Sequence, residues 1–191
     1  MHSFLINNLA HVVAGILFLS RIGDIGTTYL VTPTFMVEIN PLARRLGWKY
    51  AIATLLVALI PYRSMPAGIV VVTVSLLVSA ANAWEVLLAR TLGEQEYARM
   101  VNAAMARTSL ATGLFYLLLP SWFVGILGGT MLIFFPNPSS GWGFYFALGF
   151  LGYTFAMTLG YPVHYFRVRN SVRSRLPNAE GHVTRNPPHD P

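Results

Sequence analysis

Between Arg107 and Arg167 the chain runs for 59 residues, 108 through 166, without a single Asp, Glu, Lys or Arg. Such a stretch has no charged face to turn toward water. A helix crossing roughly 30 Å of hydrocarbon at 1.5 Å per residue needs about 20 mainly apolar residues, so this one segment has room for two crossings. The composition agrees: 54% of residues are hydrophobic, 10% are charged, and the mean hydropathy is +0.55. A soluble domain carries about 25% charged residues. That difference excludes an ordinary water-soluble globular protein, a disordered chain and a coiled coil. At 191 residues the chain is about one domain long. It contains no cysteine, which excludes disulfide scaffolds, thiol nucleophiles, iron–sulfur ligation and Cys-type zinc sites.

The expected fold class is therefore all-α, a polytopic transmembrane helix bundle of about five spans. These fall near 3–30, 41–60, 67–88, 104–135 and 143–167. The first extends past Leu19 only if its helix continues through Arg21 and Asp24. The second opens at Pro41 and stops before Pro61. The third lies in a run, 64–84, that lacks all four charged residue types. PNPSSG at 136–141 divides the long uncharged stretch into the fourth and fifth spans. The fourth is long for one crossing, and Pro120 is expected to kink it.

The basic residues fix an orientation. With five spans, Arg44, Arg45, Lys49, Arg90, Arg99, Arg107, Arg167, Arg169, Arg173, Arg175 and Arg185 share one side, and Arg63 stands alone on the other. Lys and Arg collect in cytoplasmic loops. The sequence thus predicts a multi-pass inner (plasma) membrane protein with its N-terminus outside and its C-terminus cytoplasmic. The first apolar run has no basic leader and no A-x-A-like site behind it, so it reads as a span and not as a signal peptide. Residues 1–170 form the transmembrane domain, and 171–191, polar and proline-rich, read as a disordered tail. Arg167, Arg169, Arg173 and Arg175 suit anionic headgroups of the lipid bilayer. Charges spread along interfaces, with no folded nucleic-acid module, argue against nucleic acid as a partner.

Small residues mark close helix approach. Gly125 and Gly129 form a G-x-x-x-G, and Gly152, Ala156 and Gly160 form a stripe at four-residue spacing. Both read as contacts within the bundle or as the seam of a homo- or hetero-oligomer. Trp142 and Tyr145 suit an outer aromatic belt, Trp48 and Tyr50 an inner one, and Trp122 packing. There is no internal repeat of the kind that marks inverted-repeat transporters.

An ionisable group inside a membrane costs at least roughly 2.5–3.5 kcal/mol, so it faces protein, water or a partner. Arg21, Asp24 and Thr28 share one helical face. Glu38 and Asn40 follow, and Asn40 with Pro41 makes a good N-cap and first helical residue. Ser75, Ser79, Asn82 and Glu85 form a polar stripe, and Tyr153, Tyr161 and His164 lie near one face of the last span. The orientation brings Asp24, Thr28, Glu38, Asn40, Asn82, Glu85 and His164 to one depth, which predicts a polar pocket at the cytoplasmic face. Asp24, Glu38 and His164 are candidate ligands for a divalent metal ion. The same groups suit proton relay or acid–base work on a headgroup. Alternatively the charges pair off, Arg21 or Arg44 with Asp24 or Glu38, and Glu85 with Arg90. No H-E-x-x-H, G-x-S-x-G or P-loop is present, and no catalytic residue is assigned.

Asp24 with Thr27 or Thr28, then Glu38-Ile39-Asn40-Pro41-Leu42, then Asn82, resembles an uncharacterised prokaryotic family of small polytopic membrane proteins. Its members carry an Asp and Thr late in the first helix and a Glu-x-Asn-Pro-Leu segment opening the second. The likeness covers roughly the first 90 residues, and this sequence departs from it in placing Arg21 three residues before the Asp. It implies that these positions form a recurring unit and carries no activity with it. Three functional readings follow: an ion- or headgroup-binding membrane protein, a non-catalytic subunit or assembly factor of a membrane complex, and a small transporter or channel whose path the serine stripe would line. A lipid-modifying enzyme lacks a recognisable nucleophile.

Overall fold

The computed structural model describes residues 2–35, 38 and 40–175, and among these every regular element is helical. In chain order they are α1 (His2–Val31), α2 (Pro41–Leu46), α3 (Trp48–Ala53), a 3-10 helix (Thr54–Leu59), α4 (Ile60–Arg63), α5 (Met65–Leu92), α6 (Glu94–Arg107), α7 (Leu110–Phe134), a 3-10 turn (Pro138–Ser140) and α8 (Trp142–Arg175). Four of them, α1, α5, α7 and α8, contain stretches long and apolar enough to cross a membrane. Only 17% of the apolar window of α7 is buried within the chain. Phe123, Ile126, Ile133 and Phe134 are largely exposed.

Local chemistry sets the boundaries. Ser64 and Ser109 cap α5 and α7, their hydroxyls accepting from the amides of Ala67 and Thr112. Gly93, at φ +78°, turns the chain between α5 and α6 in a backbone region open to glycine. α1 does continue through Arg21 and Asp24. The expected helix over 41–60 is instead a chain of short pieces. Gly47 adopts φ +57° and ends α2, the 3-10 helix tightens 54–59, and Pro61 at the start of α4 has no amide to continue the ladder. The fourth long helix begins at Leu110 and not near 104. Thr108 is extended and Ser109 caps, so 94–107 forms the separate helix α6, which buries Tyr97 and Ala98. Pro120 lies inside α7, which runs on past it. α8 extends to Arg175, so residues 171–175, expected in the tail, are helical; residues 176–191 lie outside the described residues.

Packing partners give the register. Val13 and Leu17 meet Val72, Ser79 donates to the Ser20 carbonyl at 3.3 Å, and Val31 meets Ala89. Thus α1 and α5 are parallel. Segment 41–63 runs back along α1: Trp48 bonds the Pro33 carbonyl, Arg21 bonds Thr54, and His11 shares a hydrogen bond with Tyr62 at 2.9 Å. α8 lies parallel to α5 on its other side, and α7 antiparallel to α8, where Thr154 donates to the Ser121 carbonyl at 2.8 Å.

Small residues make these approaches close. A Cβ at Gly149 would stand 2.5 Å from the Cβ of Thr73, and one at Gly125 2.8 Å from Thr154 Cγ2, whereas Gly129 has nothing within 4 Å. Half of the expected G-x-x-x-G is therefore used inside the chain. Gly149→Val is expected to overpack the α5–α8 seam at a cost of about 1–3 kcal/mol. A thermal melt in mild detergent checks this, with Gly129→Ala melting at or above the natural temperature.

Candidate functional site

Three helical faces meet where the C-terminal halves of α1 and α5 pass the middle of α8. α1 presents Arg21, Asp24, Ile25 and Thr28, and α5 presents Val78, Ala81, Asn82 and Glu85. Both sets have the i, i+3, i+4, i+7 spacing of one helix face. α8 adds Ala156, Met157, Gly160 and Tyr161, and the chain between Thr32 and Ala51 closes the remaining side with Phe35, Glu38, Asn40 and Tyr50. They enclose a cavity of about 440 Å³.

Arg21 and Asp24 form the polar centre. Arg21 Nη1 lies 2.7 Å from Asp24 Oδ2, and Nη2 donates to Thr54 Oγ1 at 2.7 Å. Asn82 Nδ2 bridges to Asp24 Oδ1 at 3.3 Å and Thr28 Oγ1 at 3.4 Å. Asp24 is only 9% exposed, and a charge so buried is tolerable only when paired and hydrogen-bonded. Of the pairings open from sequence, Arg21 with Asp24 is present. Glu85 does not pair with Arg90; it lies near the Tyr97 hydroxyl on α6. Burial, and then the Glu85 carboxylate, hold that phenol well above its usual pKa.

The Glu-x-Asn-Pro-Leu segment is a local capping device. Asn40 Oδ1 accepts from the Leu42 amide at 2.9 Å, as expected of an N-cap, and Glu38 Oε1 accepts from the Asn40 amide at 2.8 Å. The remaining Asn40 donor, Nδ2, reaches Tyr50 Oη at 3.2 Å. Capping thereby fixes both polar side chains at the cavity wall.

Six of the seven residues expected at the site line this cavity: Asp24, Thr28, Glu38, Asn40, Asn82 and Glu85. His164 does not. It sits one turn past Gly160 and Tyr161, where the α8 surface is packed over: His164 is 4% exposed with Nδ1 lacking a partner, and its neighbour Tyr165 donates to the Thr108 carbonyl at 2.9 Å. Among the described residues no three His, Cys, Asp or Glu side chains are placed to hold a metal ion. Asp24, Glu38 and His164 therefore do not assemble as ligands, because Arg21 and Asn82 occupy the first, the Asn40 amide engages the second, and the third lies elsewhere. Ser75 and Ser79 also lie outside the cavity, buried against or bonded to the neighbouring helices. In the Gly152–Ala156–Gly160 stripe, Gly152 lies toward Val74, and Ala156 and Gly160 form cavity wall, while Gly152 and Ala156 are also exposed at the bundle surface. Trp122, expected to pack inside, is exposed.

Glu94 escaped the sequence reading. Its Oε1 accepts from Thr32 Oγ1 at 2.6 Å, and the carboxylate also takes the Thr34 amide and hydroxyl, at 3.1 and 2.9 Å. This staple ties the turn after α1 to the first turn of α6. It supports Phe35, a buried wall residue held at φ +59° and edge-on to Trp48 with 4.8 Å between ring centres. A non-glycine residue in that region stores about 1–2 kcal/mol of strain. The Thr-Pro-Thr turn and an acid opening α6 were the available signals. Glu94→Ala is expected to cost about 1–3 kcal/mol by leaving several donors unmet. Thermal melts would show it, with Glu94→Gln retaining part of the loss through its amide oxygen.

No family model matches the sequence, and comparison with curated proteins and with solved structures finds no match either.

Proposed function

We propose that the chain is a five-pass inner-membrane protein, N-terminus outside and C-terminus cytoplasmic, which binds an ion or a polar headgroup in the cavity near its cytoplasmic face. One observation carries the reading. Polar side chains from α1, α5 and the 32–51 segment converge on one open volume, while the outer surfaces of the long helices are apolar. Charge pairing alone asks for contact, not for space. About 440 Å³ also falls within the range of small-molecule pockets, roughly 300–1,000 Å³. The burial of Ser75 and the bond from Ser79 to Ser20 favour a closed-ended site over a channel, since half of the polar stripe is consumed in packing. The joint use of Asp24, Thr28, Glu38, Asn40 and Asn82 also gives the resemblance a physical content: these positions build one wall system.

Native mass spectrometry of protein released from mild detergent tests the proposal. An extra mass on the natural chain that disappears in Asn82→Ala and in Asp24→Asn supports it. A bare mass throughout would leave only structural charge pairing.

A further inference from the structure

We infer that the cavity takes an uncharged, hydroxyl-rich group, a sugar or polyol. This rests on the reading of the cavity as a binding site and names the chemistry that fills it.

The lining favours neither sign of charge. Arg21 and Asp24 answer one another, and Glu38 accepts from the Asn40 amide. What the ion pair leaves unmet is a donor, since Arg21 Nε is buried with no partner. A cation brought to this wall adds donors to a donor. An anion meets one guanidinium, already paired, and three acidic side chains, Asp24, Glu38 and Glu85. Burying an ion without a free partner costs far more than burying a hydroxyl that is then bonded.

The hydrogen-bonding capacity left on the wall is mixed and dispersed. Asn82 spends Nδ2 on Asp24 and Thr28, and among the described residues nothing engages its Oδ1. Thr28 Oγ1 accepts from Asn82, and Tyr50 Oη from Asn40, so each hydroxyl keeps a proton to donate. No described residue bonds the Tyr161 hydroxyl. These groups come from α1, α5, α3 and α8 in turn. A ligand with one polar end would meet one of them and strand the rest. A group bearing several hydroxyls, each a donor and an acceptor, meets both kinds together. Glu85 suits it in either protonation state, because a carboxylate accepts from a hydroxyl and a carboxyl both accepts and donates. Between the polar points the wall is apolar, with Ile25, Val78 and Phe35, surfaces that pack against the C–H faces of a sugar ring.

Such a group arrives as the headgroup of a glycosylated lipid or as a free sugar, and the test separates the two. The full chain is reconstituted in vesicles of equal parts phosphatidylethanolamine, phosphatidic acid and monoglucosyl diacylglycerol. It is then released in a sugar-free polyoxyethylene detergent for native mass spectrometry. A second sample, in the two phospholipids alone, receives methyl glucoside. The natural chain is expected to hold one glucosyl group about tenfold over either phospholipid, since each net hydrogen bond is worth roughly two- to tenfold. Tyr161→Phe removes an oxygen that no described residue engages, and is expected to cut retention about fivefold with the melting temperature unchanged. Asn82→Ala is expected to abolish it. Methyl glucoside held, and lost in the same variants, shows that a free sugar suffices; the glucosyl lipid held alone shows that the sugar is lipid-borne. Preference for either phospholipid, equal retention of all three lipids, or glucosyl retention unchanged in both variants overturns the assignment. If a phospholipid is the one held and Asn82→Ala releases it, the sugar assignment fails and the polar site stands. A bare mass with every probe removes the site itself.

Discussion

Asp24→Ala is expected to destabilise the protein by about 3–5 kcal/mol, and replacing both partners, Arg21→Met with Asp24→Leu, to restore most of that loss. The reason is asymmetry. In the natural chain each charge answers the other across 2.7 Å, with side chains only 17% and 12% exposed. Removing Asp24 leaves Arg21 desolvated without a counter-charge, its guanidinium bonded to Thr54 alone, with Nε already lacking a partner. Removing both leaves two apolar side chains of similar volume in an apolar bundle. The molecule supplies its own control. Glu96 and Arg99 have the same i, i+3 spacing and a similar separation, 3.0 Å, but are 57% and 73% exposed. An exposed pair contributes roughly 0–1 kcal/mol, so Glu96→Ala should be close to silent. Unfolding in mixed micelles would rank the four chains. An Asp24→Ala protein as stable as the natural one would show that the pair is not buried in the working state.

The contrast between these two pairs also shows how far the sequence could be read. Spacing puts Arg21 and Asp24 on one face, and the structure shows Glu96 and Arg99 at the same i, i+3 spacing; only packing distinguishes a buried centre from a solvated ornament. The long helices were legible because hydrocarbon demands long uninterrupted apolar runs. The lining residues of α1 and α5 were legible because polar side chains repeat at helical spacing on otherwise apolar faces. His164 passed the same test of depth yet lies outside the cavity, because depth gives one coordinate and says nothing of which neighbour covers a face. The breaks in 41–63 depend on Gly47 taking a positive φ and on a 3-10 stretch in an ordinary apolar sequence, TLLVAL, neither of which hydropathy reports. Glu94 was hidden for another reason. Its partners, Thr32 and Thr34, are about sixty residues away in sequence, and a staple between a turn and a helix start leaves no periodic trace.

Single cysteines at Arg63 and Ser139 are expected to react with a membrane-impermeant maleimide on intact cells. Cysteines at Arg45 and Gln95 are expected to react only after permeabilisation. The natural chain has no cysteine, so each variant reports one position. The expectation follows from α1 and α5 being parallel and in register, with Leu17 against Val72, Asn82 against Asp24 and Thr28, and Val31 against Ala89. Two parallel neighbours that each span a bilayer start on the same side, so the chain between them has to return across it. In the proposed five-pass topology segment 41–63 makes the return in short helical pieces; 23 residues at helical rise cover roughly 35 Å, enough for the hydrocarbon. Its basic residues fit this path, with Arg44, Arg45 and Lys49 at one end and Arg63 at the other. If the segment instead lay along one interface, the Arg63 and Arg45 cysteines would label together. α1 and α5 could then not be parallel neighbours, and the cavity between α1, α5 and α8 would not exist as drawn. The labelling is all-or-none at each position, so two variants, Arg45→Cys and Arg63→Cys, suffice to decide between a returning span and an interfacial one.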